Sequence, residues 1–284
     1  MNIKPDCLVC LYNQALKTTK VLGLDDEMSA KILFEVAKIL PNYSLNYTPP
    51  EIAKDTYALI EKITKNDDPL KEIKELSIKE AKSFKPFLYE EIKKSDNQLL
   101  TALKIAVAGN VIDFGAKEQF NLKEVIENIF NTPFKIDNFK DLEERLKTAK
   151  KVVIIGDNSG ENIFDIILAV VLKSLYDIEL FYFVRGKPII NDVTINEANN
   201  SDMPKFAKII DTGVPTPGYS LKYANEISKE IFDNADVVIS KGMGNFESLY
   251  GIAKREIFYL FIVKCNVVAS VINADVKDII LVKK

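Results

Sequence analysis

Six short runs rich in valine, isoleucine and phenylalanine punctuate the second half of this 284-residue chain, near 152–155, 179–184, 206–210, 236–240, 257–263 and 278–282. Helical-looking segments separate them, Glu161–Tyr176 and Leu221–Phe232 being the clearest. A strand with one wet face alternates in polarity, whereas an unbroken apolar strand needs cover on both faces. Such strands alternating with crossover helices predict a doubly wound, mostly parallel, Rossmann-like sheet. In that arrangement the loops leaving the strand ends gather along one edge, where ligands bind.

Up to about residue 150 the apolar residues recur at helical spacing instead. Asp25 and Asp26 can cap a helix carrying Ile32, Leu33, Val36 and Ile39, and Pro41 ends it. Pro49 and Pro50 open the next. Asp68-Pro69 starts a lysine- and glutamate-rich stretch to about Lys94, which Pro86 is expected to break or kink. The most apolar helix runs from Leu99 to about Ile112, and two amphipathic helices follow near 122–130 and 138–149. The expected fold class is α/β, with an all-helical domain over 1–150 and an α/β domain over 151–284.

The chain has no histidine, which excludes Ser-His, Cys-His and His-ligated metal chemistry. Acid–base work then falls to Asp, Glu, Lys, Tyr or a metal-bound water. A net charge of −3 argues against nucleic acid as a partner. No apolar run reaches the roughly 18 residues that span a bilayer, and Met1–Lys4 begins no signal peptide, so a cytoplasmic protein without a membrane partner is expected. Of three cysteines, Cys7 and Cys10 form a CxxC at the start of a helix. Their simplest reading is two small residues on a buried helix face; a structural or metal-binding thiol pair is the alternative.

Three loops hold the candidate chemistry. The first strand runs into Gly156-Asp157-Asn158-Ser159-Gly160-Glu161, the second into Arg185-Gly186-Lys187-Pro188 and then Asn191-Asp192, the fourth into Lys241-Gly242-Met243-Gly244-Asn245-Phe246-Glu247. Neither a dinucleotide G-x-G-x-x-G nor a P-loop is present. An acid and an amide at a strand end suit an oxygen-preferring divalent ion; an Asx turn capping the next helix is the competing reading of Asp157 and Asn158. Adjacent parallel strands would bring Asp192 to the same ion, unless Asp192 merely caps the helix from Thr194. Lys241 adds a donor for an anion at that edge. Arg185 suits either substrate contact or loop anchoring, and Glu247 either the pocket or the cap of a helix beginning near Asn245.

These motifs, in this order and spacing, resemble the damage-control phosphatases, archaeal-type branch with an N-terminal CxxC. Gly109-Asn110-x-x-Asp113-Phe114-Gly115 in the helical part fits the same pattern; one departure is Asn266 after Cys265, where the family has proline. The resemblance implies a divalent-metal-dependent phosphatase acting on a small phosphorylated metabolite such as a sugar phosphate. Manganese, nickel, cobalt or magnesium would serve as the cofactor. It implies metal ligation by Asp157, Asn158 and Asp192, with Asp157 and Asp192 catalytic. Lys241, Asn110, Asp113, Glu161, Arg185, Asn245 and Glu247 would line the substrate side, though a glycine-loosened helix end also accounts for Asn110 and Asp113. Water attack and an aspartyl-phosphate on Asp157 both remain open. A non-catalytic metabolite- or nucleotide-binding protein is the rival reading. A carboxyl methyltransferase ranks lower, because the second strand ends in Arg185 and not in an acid.

Overall fold

The computed structural model describes residues 1–111 and 122–284. Three helices open the chain: α1 (Pro5–Val21), α2 (Asp26–Ile39) and α3 (Pro49–Thr64). They bury their stripes against each other, with Leu11, Ala15, Ile32, Val36, Ile52 and Ile60 at the centre. Next come α4 (Lys71–Lys94), α5 (Gln98–Ala108), α6 (Leu122–Asn131), β1 (Ile136–Asp137) and α7 (Phe139–Thr148). The remainder alternates as β2 (Lys151–Ile155), α8 (Glu161–Leu175), β3 (Glu179–Val184), α9 (Ile195–Asn199), β4 (Lys208–Asp211), α10 (Glu226–Asn234), β5 (Val237–Lys241), α11 (Gly242–Leu249), β6 (Phe258–Ile262), α12 (Asn266–Ile272) and β7 (Ile279–Lys283).

The strands form one sheet in the order β1-β7-β6-β5-β2-β3-β4. Every pairing is parallel except β6 with β7. The α/β fold expected from the apolar runs is therefore present, and β2, β3 and β5 are buried along almost their whole length. Edge strand β4 is the wet exception. Alternate residues feed two cores: Val152, Ile154, Leu180 and Tyr182 face one side, Val153, Ile155, Phe181 and Phe183 the other.

The helical half is not a body apart. Leu88, Ile92 and Leu103 from α4 and α5, and Leu142 and Leu146 from α7, share the core formed by Val152, Ile154 and Ile166. Strand β1, inside the stretch expected to be all-helical, pairs with β7. Only α1–α3 keep a cluster of their own, and α3 packs against α11.

Two local expectations are corrected. Pro86 does not break α4, which runs through it from Lys71 to Lys94. Pro86 and Lys82 are both exposed, which leaves the carbonyl the proline cannot bond within reach of solvent, while Ala81, Leu88 and Ile92 hold the helix to the core. The helix expected over 221–232 begins only at Glu226, because the Asn225 side chain accepts the Ser228 N–H and sets its start. No helix among the described residues is long and apolar enough to cross a membrane.

Candidate active site

Strand β2 lies between β3 and β5, so the loops after these three strands meet where the strand order reverses. Asn158 and Asp192 form an isolated bridge between the first two loops, and Val193 N–H donates to the Asp157 carbonyl at 2.9 Å. Backbone pairing thus sets Asp157, Asn158 and Asp192 side by side. Neither competing cap reading holds. The N-cap of α8 is Gly160, with no side-chain cap bond. Thr194 caps α9 through a reciprocal box with Glu197, leaving the Asp192 carboxylate to Arg185 Nε at 2.7 Å.

The third loop is not a loop. β5 passes directly into α11 at Gly242, three residues before the expected helix start. Gly242 has φ +73°, and a Cβ there would stand 2.0 Å from Asp157 Oδ2, so only glycine lets the helix begin against that carboxylate. Gly156 is equally constrained, its missing Cβ position lying 2.6 Å from the Tyr182 hydroxyl.

Lys241, expected to face an anion, is wholly buried in a charge network. Its ammonium donates to the Ala106 carbonyl at 2.9 Å, to Glu161 at 2.6 Å and to Asp165 at 2.5 Å, which uses all three protons. Burial alone would lower its pKa, but Asp165 and Glu161 more than offset this and hold it above the usual lysine range. Asp165 also accepts from Tyr182 Oη at 2.8 Å, and burial pushes its carboxyl up to about 6 despite Lys241. The network reaches the metal candidates through Asn110, whose amide donates to Glu161 at 2.8 Å and to Asp157 Oδ2 at 3.1 Å.

Arg185 is fully buried and acts as an anchor, bonded to Asp192 and, through Nη2, to Asn245 Oδ1 at 3.1 Å, with Asp157 Oδ1 at 3.8 Å. Asn245 is saturated: it also takes the Tyr219 N–H and gives its own protons to the Gly156 and Lys241 carbonyls. The N–H groups of Ser159, Gly160 and Asn162 are spent on the Asn191 carbonyl, the Asn162 side chain and the Asn158 carbonyl. Burial drives Asp157 well above the carboxylate range, with Glu161 and Asp192 adding to it and Arg185 and Lys264 opposing. Burial likewise brings Asp192 up to about 6 against the pull of Arg185.

Lys264 was missed in the sequence. It follows β6 at the same sheet edge, is exposed, and acts electrostatically on Asp157. A lysine just beyond a strand on the ligand edge was the available signal. Glu247 stands elsewhere, in the body of α11, where burial pushes its carboxyl up to about 7; burial, with a smaller push from Glu247, raises Cys7, Cys10 and Cys265. Cys7 is buried as expected but Cys10 is exposed, and all three thiols are free. Asp113 lies outside the described residues.

Four buried carboxylates (Asp157, Glu161, Asp165 and Asp192) meet two buried cations, Lys241 and Arg185. Arg185 Nη1 and Asn110 Oδ1 are buried without a partner among the described residues, as in a site built to receive something polar. No three Asp, Glu or Cys side chains among the described residues converge on one metal position, and Asn158 turns its Nδ2 to Asp157 Oδ2 at 3.0 Å, so a metal here needs that amide rotated to present its oxygen. The donors would all be oxygen, in a buried cluster with two more acids than cations, which suits a hard divalent ion.

The model of the damage-control phosphatase ARMT1-like domain matches residues 3–280. A damage-control phosphatase of Pyrococcus horikoshii is 33% identical over 95% of this chain and 93% of its own, and one of Archaeoglobus fulgidus is 28% identical over 99% and 98%. An uncharacterized protein of Methanocaldococcus jannaschii is 33% identical over 100% and 96%. The crystal structure of a DUF89 family protein from Pyrococcus horikoshii superposes with a TM-score of 0.90 at 30% identity, covering 100% of this chain and 99% of that one. The chain belongs to the ARMT1-like damage-control phosphatase family.

Proposed function

We propose that this protein is a divalent-metal-dependent phosphatase that hydrolyses the phosphomonoester of a small metabolite. Family membership supports the phosphatase role. The observation that supports the metal is the excess of two buried acids over buried cations around Asp157, beside an Asn110 oxygen that has no partner among the described residues. Asp157, Asn158 and Asp192 would hold the ion, which when bound supplies Lewis acidity and neutralises phosphoryl charge. Arg185 fixes the rotamer of Asp192, and Asn110 that of Asp157. Lys264 then takes the role first given to Lys241, binding a phosphoryl oxygen from the open side of the site, while Lys241 keeps Glu161 and Asp165 in place. Hydrolysis forms a bond from water oxygen to phosphorus and breaks the ester P–O bond; the displaced oxygen takes up a proton.

Phosphate release from a panel of sugar phosphates, nucleotides and phosphopantetheine-type compounds tests this, with Mn²⁺, Ni²⁺, Co²⁺ and Mg²⁺ compared and EDTA as control. Release that depends on metal and is lost in Asp157→Asn is the expected result. Full activity in EDTA, or none with any metal or substrate, refutes it.

A further inference from the structure

Lys74 is a lysine buried without being part of the candidate site. It is 1% exposed, in the first turns of α4, and its ammonium contacts Asp68 at 2.6 Å and Glu197 at 2.8 Å. Exposed surface pairs count for little, but a buried lysine between two acids constrains both. Glu197 in turn accepts the Thr194 N–H at 2.9 Å and the Thr194 hydroxyl. Thr194 bridges to Arg185, and Val193 is bonded on both sides, its carbonyl to Arg185 N–H and its N–H to Asp157, each at 2.9 Å. A continuous line of short bonds therefore runs from α4 to the segment that carries Asp192.

That segment needs holding. Ile190 has φ +46°, a left-handed conformation that a β-branched residue adopts only when its surroundings impose it. Ile189 and Ile190 pack into the α1–α3 cluster, beside a small cavity lined by Thr18, Tyr57, Asp68, Leu70 and Ile189. The other tie from the helices, Lys187 to Glu61 at 3.1 Å, is partly exposed. Resting on the metal reading above, we propose that Lys74 is a positioning residue that, through Glu197 and Thr194, holds Asp192 where it ligates the ion. It touches neither substrate nor metal.

The test is calorimetric Mn²⁺ affinity together with thermal stability and steady-state kinetics, for Lys74→Met, Lys74→Arg and the double variant Lys74→Met with Glu197→Gln. Outer partners of metal ligands typically command about 10- to 100-fold in affinity, and that loss is expected in Lys74→Met. Lys74→Arg should keep Mn²⁺ affinity within a few-fold of the parent. The double variant, which leaves only Asp68 without its cation, should regain part of the stability without regaining Mn²⁺ affinity. Unchanged Mn²⁺ affinity in Lys74→Met, with only stability lowered, overturns the tether and leaves the metal reading intact. A parent protein that binds none of Mn²⁺, Ni²⁺, Co²⁺ and Mg²⁺ overturns both.

Discussion

Replacing Lys241 by methionine separates a structural lysine from a phosphate-binding one. Lys241, Glu161 and Asp165 are all completely buried, so no solvent screening reduces the effect. Removing one member of a buried ion cluster leaves uncompensated charge and costs about 3–5 kcal/mol. For a chain of this size each kcal/mol is worth about 2 °C, so melting should fall by about 6–10 °C at pH 8. The effect has a definite pH dependence. Asp165, held at about 6 folded against 3.8 unfolded, binds its proton more tightly in the folded state. Its contribution to stability is present below pH about 4 and declines as pH rises toward 6. Without Lys241 the folded pKa moves higher and the decline continues further up. The gap between parent and variant should thus be largest at pH 8 and close as pH falls toward 4. Urea or thermal unfolding at several pH values measures it. A variant with parental stability at pH 8 and a raised KM would refute this and return Lys241 to the substrate.

Lys264→Ala should raise the KM for phosphorylated substrates several-fold at saturating metal with the melting temperature unmoved, since the residue is exposed; an unchanged KM removes it from phosphate binding. Gly242→Ala puts a methyl group 2.0 Å from Asp157 Oδ2. Activity should drop about 100-fold, as for a misplacement of about 1 Å, and retained activity would mean the carboxylate position is not critical. Pro86→Ala restores one N–H in the exposed middle of α4 and should raise stability by about 1–3 kcal/mol, visible as a higher melting temperature; a lower one would show that the proline shapes the helix usefully.

The strands were legible because burial on both faces leaves unbroken apolar runs, and their ends fall within about two residues of those expected. The first two loops were legible for a related reason: polar residues at consecutive strand ends of a parallel sheet have one place to go. Lys241 was misjudged because a strand's last residue can turn outward or inward, and local sequence does not say which. A better signal lay one helix away. Glu161 and Asp165 stand four apart on α8, which is otherwise apolar from Ile163 to Leu172. Two acids on one face of a buried helix call for a cation. The shared core of α4 and α5 with the sheet was hidden for another reason. Amphipathic helices state that they have a buried face, not what covers it.

Helix α5 has a consequence for how the chain is made. Leu99 and Ala102–Ala108 are all buried, largely against α8 and the sheet. On the ribosome, α5 emerges some 76 residues before the end of β3, the last strand of the βαβ unit that covers it. At about 5–20 residues per second, this bare apolar helix waits on the order of 4–15 s for its cover. Nascent chains paused in that window should recruit chaperones, and synonymous codons that slow translation between residues 109 and 184 should lower soluble yield without altering the finished protein.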